Sequence, residues 1–290
     1  MRITHADRLM YPRLGLTKEA LARYYEAIAP RMVPHVADRP LTLVRCPDGA
    51  EAPCAYMRHL RAWGPAPLRH VAIREKTKIG DYLVADSAEA LVALVQMDVL
   101  EVHTWNTRAE RLEQPDRLVF DLDPGPGVVW RRVVDAAHRI RAALARVGLV
   151  SFAKTTGGKG LHVVVPLAHG ASWAECLEFA RGVAHTMERL DPRTFTASMV
   201  KSARPGRIYV DYLRNHRAAS SIAAYSARAK PQATVSVPIT WDELTPELRP
   251  EDLTVQSVID RVEKLRRDPW EGCDETRQRL RRSMMRAVAG

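Results

Sequence analysis

Residues 117–123, RLVFDLD, predict a β-strand that carries two carboxylates on one face. Because side chains alternate between the two faces of a strand, the apolar residues at 118, 120 and 122 share one face while Asp121 and Asp123 share the other. Two carboxylates so close together repel each other unless a cation lies between them. A divalent metal with oxygen ligands would relieve that repulsion, so this strand predicts a metal site beside an apolar core.

The run PGPG at 124–127 ends the strand and leaves both carboxylates at its carboxyl end. Ligand sites of open sheets often lie at such strand ends. The Asp-x-Asp pair does not identify a reaction by itself, because glycosyltransferases and phosphatases with an aspartate nucleophile also use it, and it occurs on surfaces without any ligand.

A glycine-rich loop follows downstream, TTGGKG at 155–160. Its glycines, among them Gly157 and Gly158, allow backbone N–H groups to converge on an anion, while Lys159 adds a charge and Thr156 a hydroxyl. The loop predicts a phosphate cradle, although it is not a Walker A loop, because a glycine follows the lysine and the chain enters a strand. His162, at the start of that strand, is placed to donate to a phosphate oxygen.

A third carboxylate lies in RIYVDYLRN at 207–215, where Asp211 interrupts an apolar strand and therefore needs a partner. Metal-dependent phosphoryl transfer commonly uses such ligands to hold two ions. A buried salt bridge from Asp211 to Arg207 or Arg214 is the alternative. Arg228 is a further basic residue that could reach a triphosphate tail.

The remaining pattern alternates helices and strands without a strict βαβ series. Thr17 is a good N-cap for a helix over 17–33, which Pro30 and Pro34 are expected to end. Because a glycine loop joins two of the strands, the predicted fold class is α/β (α+β), with a mixed, largely antiparallel central sheet flanked by helices, in one domain over 1–290. Further predicted helices span about 87–97, 128–147, 172–190, 241–248 and 253–267, and predicted strands span 40–45, 70–74, 100–105, 117–123, 149–154, 161–167, 196–201 and 207–214.

The charge balance favours a polyanionic partner. The 290 residues contain 44 Lys+Arg against 34 Asp+Glu, a net charge of +10, which suits nucleic acid or an anionic membrane, although a basic surface can also serve solubility alone. The longest apolar stretch, 91–100, is too short to span a bilayer. The four cysteines show no metal-site spacing and are expected to be free thiols, so we expect a cytoplasmic protein.

These blocks together resemble the polymerase domain of bacterial ATP-dependent DNA ligase D, a member of the archaeo-eukaryotic primase superfamily that acts in non-homologous end joining. The similarity runs almost end to end, in family order and at family-like spacing. The matching segments are LTKEALARYY at 16–25, LEVHTWN at 100–106, RLVFDLDPG at 117–125, TTGGKGLHVVVPL at 155–167, KSARPGRIYVDYLRN at 201–215, SIAAYSARAK at 221–230 and PITWDEL at 238–244.

The resemblance implies a primase-polymerase catalytic core and roles for individual residues. Lys18 would bind a 5′-phosphate with the help of Arg8. General physical chemistry agrees, since a lysine beside the free N–H groups of a first helical turn makes an anion site. Where relatives carry two adjacent aromatic residues, this chain has Ala55 and Tyr56, so stacking on a DNA end would rest on Tyr56. The implied metal ligands are Asp121, Asp123 and Asp211, and the implied nucleotide-binding residues are Thr156, Gly157, Gly158, Lys159, His162 and Arg228.

The predicted function is metal-dependent addition of ribo- or deoxyribonucleotides at gaps and broken DNA ends, with two Mn²⁺ or Mg²⁺ ions. The implied partners are 5′-phosphorylated DNA, NTP or dNTP, Ku and a DNA ligase, with association to the nucleoid and no membrane. The DNA-contacting part is expected at about 1–100, the catalytic core at about 101–240 and C-terminal helices at about 241–290. Two alternatives remain open, a non-catalytic end-binding module and a metal-dependent phosphatase or nuclease.

Overall fold

The computed structural model describes residues 3–59 and 64–289. Most predicted elements are present, with bounds shifted by a few residues. The helices are α1 (Lys18–Val36), α2 (Ala88–Gln96), α3 (Trp130–Arg146), α4 (Trp173–Leu190), α5 (Val255–Lys264) and α6 (Arg282–Ala289). The strands are β1 (Leu9–Tyr11), β2 (Leu16–Thr17), β3 (Leu41–Arg45), β4 (Ala55–Met57), β5 (Arg69–Arg74), β6 (Ile79–Val84), β7 (Val99–Trp105), β8 (Arg117–Pro124), β9 (Phe152–Thr155), β10 (Leu161–Pro166), β11 (Phe195–Thr196), β12 (Ile208–Asp211), β13 (Ser220–Ile222) and β14 (Pro238–Ile239).

The chain divides into two compact units, each assembled from separate stretches of sequence. The first unit consists of Met1–Glu110, Ser220–Val237 and Pro250–Arg266. The second consists of Arg111–Ala219, Pro238–Arg249 and Arg267–Gly290. The single domain predicted over 1–290 stays a prediction.

A six-stranded sheet organises the second unit, in the order β11-β12-β8-β10-β9-β14. Only β11 and β12 pair in parallel, so the predicted mixed and largely antiparallel sheet is confirmed. The alternating apolar residues of β8, Leu118, Phe120 and Leu122, pack in one core with α3 and α4. The carboxylates of β8 therefore lie on the opposite face of the sheet, as the two-residue period predicts.

The first unit is built around an antiparallel four-stranded sheet in the order β13-β7-β3-β4. Helix α1 packs against α2, and the apolar face of α1 is buried, with Leu21 and Ile28 fully covered. Thr17 caps α1 as predicted, because its hydroxyl accepts a hydrogen bond from Ala20 N. This unit also holds the two-stranded pairs β1-β2 and β5-β6.

Three predicted elements are wrong. Helix α1 continues through Pro30 and Pro34, because the residues beyond them, such as Met32 and Val36, are fully buried and their packing outweighs the lost backbone hydrogen bonds. The predicted helix over 241–248 is a series of turns, since Pro246 disfavours a helical conformation in the residue before it. The predicted strand over 196–201 ends at Thr196, where its pairing with β12 ends.

The cysteine prediction is also wrong in part. Cys46 and Cys54 form a disulfide that links the end of β3 to the start of β4, eight residues later in sequence. Cys176 and Cys273 are not disulfide-bonded, and both are buried. Among the described residues, no helix has the length and apolar character needed to cross a membrane.

Candidate active site

Strand register brings the three predicted carboxylates together. In the antiparallel pairing of β8 with β12, Asp211 lies directly opposite Asp121, and Tyr209 lies opposite Asp123. One carboxylate oxygen from each of the three acids lies within 4.8 Å of the others. Side chains paired in this way share a face, so the register itself produces a cluster of three acids from two strands.

Local sequence explains why β12 ends where it does. After Asp211 the chain turns into a short 3-10 helix, Leu213–Asn215, and the backbone N–H of Leu213 donates to Asp211 Oδ1 at 3.0 Å. The buried Asn215 side chain accepts from Val119 N and donates to Val119 O, both at 2.8 Å. The Asn215 amide thus replaces a strand partner for β8 two residues before Asp121, and holds the two strands in register.

Arg214, one of the two arginines named above as alternative partners for Asp211, lies beside that acid. Its Nε lies 3.1 Å from Asp121 Oδ2 and 3.1 Å from Asp211 Oδ2. The salt bridge to Arg214 that was the alternative for Asp211 is therefore present, and it coexists with the acid cluster. One guanidinium against three carboxylates leaves an excess of negative charge, which a divalent cation would compensate.

The pKa values of the acids reflect this crowding. Burial raises the pKa of Asp123 to about 7, and the charge of Asp121 adds to the shift. Burial also raises the pKa of Asp211, against the opposing effect of Arg214. Burial opposes ionisation of Asp121 too, but His162, Arg214 and Lys154 outweigh it and hold the pKa of Asp121 below its ordinary range.

The donor set fits a hard divalent cation such as Mg²⁺ or Mn²⁺. All three groups offer carboxylate oxygens, the ligands that such ions prefer. Asp121 Oδ1 is buried and accepts no well-directed hydrogen bond from the described residues; the nearest ring nitrogen, His162 Nε2, is 3.3 Å away. A buried acceptor without a donor is costly, so this oxygen is suited to a metal bond.

Metal binding is expected to depend on pH through Asp123. A carboxyl group with a pKa of about 7 is mostly protonated at pH 6 and mostly ionised at pH 8, and only the ionised form ligates a metal. Mn²⁺ affinity measured by titration calorimetry should therefore be about tenfold weaker at pH 6 than at pH 8. The variant Asp123→Asn should bind weakly at both pH values, whereas equal wild-type affinities at pH 6 and pH 8 would contradict this assignment.

The glycine loop lies between β9 and β10 and is closed by its own threonine. The hydroxyl of Thr156 donates to Gly160 O at 3.1 Å and accepts from Gly158 N at 3.2 Å. Gly157 has φ +63, a conformation that favours glycine. A Cβ at Gly160 would lie 2.6 Å from Leu122 O, so only glycine lets the loop approach β8 this closely.

The loop residues therefore have different surroundings. Lys159 is exposed, whereas Gly157 and Thr156 are buried. The Thr156 hydroxyl is already hydrogen-bonded within the loop, so it is not free to make the predicted phosphate contact in this arrangement. The phosphate cradle as a whole stays a prediction.

His162 lies against an acid rather than at the surface. It pairs with Asp121 across β10 and β8, and only 2% of its surface is exposed. Burial lowers the pKa of His162 to about 4, and the charge of Lys154 adds to the shift, so the imidazole is neutral at pH 7. The structure thus brings His162 to the acid cluster, and its predicted donation to a phosphate stays a prediction.

Lys154 is a site residue that the sequence reasoning missed. It lies opposite His162 in the pairing of β9 with β10, and only 3% of its surface is exposed. Lys154, His162, Asp121 and Asp211 therefore form one row across four adjacent strands. A lysine inside the strand-like segment VSFAKT was the available signal, but only strand order places it beside the acids.

The predicted DNA-contacting residues lie in the first unit. Lys18 is buried, with 2% of its surface exposed, and its Nζ donates to Asp98 Oδ1 at 2.7 Å and to Gln96 O at 2.8 Å. Arg8 Nη1 lies 3.1 Å from the same Asp98 oxygen, and Arg45 Nη2 lies 3.5 Å from the other. Three cations surround one carboxylate, which leaves a net charge of +2 suited to an anion.

Tyr56 and Arg228 also belong to the first unit but have different surroundings. Tyr56 is 58% exposed on β4, and its ring makes an edge contact with His103 at 5.8 Å between centroids. Arg228 Nε donates to Glu101 Oε1 at 2.9 Å, and Glu101 also contacts His103. Burial opposes ionisation of Glu101, but His103 and Arg228 outweigh it and lower the pKa of Glu101 to about 2. Arg228 therefore faces an ionised carboxylate.

Comparison with known proteins decides the family. Residues 17–270 match the model of the LigD primase-polymerase domain. The chain belongs to the LigD primase-polymerase domain family. It is 38% identical over 294 residues to the multifunctional non-homologous end joining protein LigD of Pseudomonas aeruginosa, covering 99% of this chain, and 38% identical over 267 residues to LigD of Mycolicibacterium smegmatis, covering 91%.

The fold of the family agrees with the structure of this chain. The polymerase domain of Mycobacterium tuberculosis ligase D, solved in complex with DNA, superposes with a TM-score of 0.89 at 34% identity, covering 96% of this chain and 99% of that domain. The chain spans about a third of the length of its curated LigD relatives, 34% and 35%. The resemblance to this family is thus confirmed.

Proposed function

We propose that this chain is a metal-dependent nucleotidyltransferase of the EC 2.7.7 type, which adds ribo- or deoxyribonucleotides to strand ends at gaps and double-strand breaks during non-homologous end joining. Membership of the LigD primase-polymerase family supports the proposal. The observation that carries it is the acid cluster, in which Asp121, Asp123 and Asp211 place carboxylate oxygens within 4.8 Å of one another.

Asp121, Asp123 and Asp211 would hold two Mn²⁺ or Mg²⁺ ions. Such ions, when bound, lower the pKa of an attacking hydroxyl and stabilise the charge that develops on the transferring phosphoryl group. The protein's own contribution is alignment: β8 and β12 hold the carboxylates in register, and Arg214 Nε donates to Asp121 Oδ2 and orients that carboxylate.

The glycine loop would bind the triphosphate of the incoming nucleotide. Gly157 and Gly158 allow N–H groups to approach an anion closely, and the exposed Lys159 adds a charge that is free to move toward it. Thr156 would act by closing the loop, and His162 and Arg228 would complete the nucleotide-binding set. Arg228 would first have to share its guanidinium with Glu101.

The first unit would bind the DNA. Lys18, with Arg8, would recognise the 5′-phosphate across a gap, and the exposed ring of Tyr56 would stack on a terminal base. Ku and a DNA ligase are the proposed protein partners, with action at the nucleoid, because the LigD relatives are named as non-homologous end joining proteins.

A primer-extension assay with labelled nucleotide on a gapped duplex tests the proposal against its alternatives. We expect the primer to lengthen in the presence of Mn²⁺ or Mg²⁺ and to stay unchanged after chelation. A non-catalytic end-binding module would shift the duplex in a gel without extending it. A phosphatase or nuclease would remove phosphate or shorten the strand, and either result would overturn the proposal.

A further inference from the structure

The basic segment Thr276–Arg286 lies outside the known features of the site. It contains five arginines, at 277, 279, 281, 282 and 286, and no acidic residue. It also lies beyond residues 17–270, the part that matches the family model. A run of arginines of this kind is either a solvated surface or a contact to a polyanion.

The first half of this segment is not helical, since α6 begins only at Arg282. Exposure alternates along it: Arg277, Arg279 and Arg281 are exposed, whereas Gln278 and Leu280 are half-buried. A two-residue period of exposure is typical of an extended chain with one anchored face. The three arginines therefore share the exposed side of the segment.

Two residues anchor the opposite face. The Gln278 side chain accepts from Val150 N at 2.8 Å and donates to Val150 O at 2.8 Å and to Pro166 O at 2.9 Å. Its backbone oxygen accepts from Ala168 N at 2.7 Å. Leu280 packs against the apolar core of the second unit. The backbone that carries the arginines is thus fixed to the sheet before any ligand binds.

Arg277, Arg279 and Arg281 line one open groove, and the half-buried Gln278 and Leu280 between them contribute to its floor and walls. Within residues 3–59 and 64–289, no carboxylate pairs with these three guanidinium groups. Keeping three like charges beside one another without counter-charges is unfavourable unless an anion approaches. The groove is therefore suited to an extended polyanion rather than to a single anion.

We propose that Arg277, Arg279 and Arg281 bind the phosphate backbone of a nucleic-acid strand. Alternate residues of an extended chain lie about 6.6 Å apart, roughly twice the axial spacing of about 3.4 Å between phosphates along one strand of a duplex. The identification of this polyanion as nucleic acid rests on the proposed function.

This surface is separate from the acid cluster. Gln278 is held at Pro166 and Val150, whereas the glycine loop joins the other ends of β9 and β10. Pro166 lies four positions after His162 in β10, a distance of about 13 Å along an extended strand. The arginines would hold the substrate strand outside the reaction centre and add affinity, not chemistry.

The test compares two triple variants of the full chain that lose equal charge. The first is Arg277→Gln with Arg279→Gln and Arg281→Gln. The second, a matched control, is Arg131→Gln with Arg146→Gln and Arg181→Gln, three exposed arginines elsewhere in the same unit. Affinity for a fluorescent gapped duplex is measured by anisotropy from 50 to 200 mM salt, and thermal unfolding checks that each variant folds.

Each phosphate contact contributes about 0.7 to 0.9 to the slope of log affinity against log salt, so the first variant should lose about 2 to 3 from that slope. The ratio of wild-type to variant affinity should then shrink about 20- to 40-fold across this salt range. A wild-type slope in the first variant, or an equal loss in the control variant, would overturn the proposal.

Failure of this inference is distinguishable from failure of the proposed function. Wild-type protein that binds the duplex with the expected slope but does not extend a primer would contradict the proposed function and leave the surface in place. Suppose instead that the wild-type protein extends the primer and the first variant binds the duplex as the wild type does. Only the proposed role of the three arginines would then be contradicted.

Discussion

Asp121→Asn and Asp211→Asn are each expected to lower the rate of primer extension by about 1000-fold, which corresponds to about 4 kcal/mol of lost transition-state stabilisation. Each substitution keeps the shape of the side chain and removes one of the three charges that would hold the metal ions. Because the acids act on a shared centre, the double variant should be little worse than either single one.

The fold should survive these substitutions. An asparagine at 211 still offers an oxygen to Leu213 N and to the hydroxyl of Tyr209, which contact Asp211 Oδ1 at 3.0 and 3.2 Å. What is lost is the ion pair with Arg214, which remains paired with Asp121. The thermal unfolding midpoint should therefore shift by only a few degrees, and DNA binding should persist.

Asp135→Asn is a suitable control, because Asp135 is an exposed carboxylate on α3 in the same unit. It should extend primers at the wild-type rate. If Asp121→Asn or Asp211→Asn extended primers within tenfold of the wild type, the acid cluster would not be the reaction centre.

The sequence predicts local structure well where a strong pattern meets no tertiary competition. Strand β8 is one example, since its alternating residues and the PGPG stop define both its faces and its end. Helix α1 shows the limit: the prolines should end it, but burial of Met32 and Val36 keeps it helical. Packing energy from distant residues is not readable in a local window.

The membership of the acid cluster was predictable, but its geometry was not. Asp121 and Asp123 are neighbours by the period of a strand, whereas Asp211 reaches them only through the register of β12 with β8. Register depends on long-range pairing, which a single sequence specifies weakly. For the same reason Lys154 was missed, and the position of His162 beside Asp121 was not predicted.

The surroundings of the predicted DNA-contacting residues also required the fold. Lys18 at the first turn of a helix suggested a surface cation, yet it is buried against Asp98, eighty residues away. Nothing in the local sequence connects Arg8, Arg45 and Asp98 to this lysine, since they come from three separate parts of the chain. The cluster is therefore a product of the sheet and of the α1-α2 contact.

Lys18→Met is expected to reduce the preference for a 5′-phosphorylated gap by about 10- to 100-fold, the equivalent of one charge-assisted hydrogen bond of about 1.5 to 3 kcal/mol. The cluster carries three cations and one carboxylate, so it has a charge of +2, against a charge of about −1.5 to −2 on a terminal phosphate at pH 7. Loss of one cation halves the net positive charge of the cluster. The rate of extension on a gap that lacks the 5′-phosphate should change less than about twofold, because that substrate has no phosphate for Lys18 to bind.

Burial makes a second variant necessary. Removing Lys18 leaves Asp98 with Arg8 and Arg45, so the carboxylate stays paired, but a shift in packing could still lower stability. The side chains of Arg8 and Arg45 are more exposed, at 33% and 44%, and are the groups that an incoming phosphate would meet first. Arg8→Gln and Arg45→Gln should therefore lose the same preference without a change in the unfolding midpoint.

The comparison of two substrates separates phosphate recognition from general DNA affinity. Arg23→Gln, a more exposed cation on the same helix with one ion pair to Glu19, should leave the preference unchanged. If Lys18→Met slowed extension equally on phosphorylated and non-phosphorylated gaps, Lys18 would serve the fold of the first unit. A loss confined to the phosphorylated gap, shared by Arg8→Gln and Arg45→Gln, would instead place the three cations in one phosphate site, because only a common ligand links their effects.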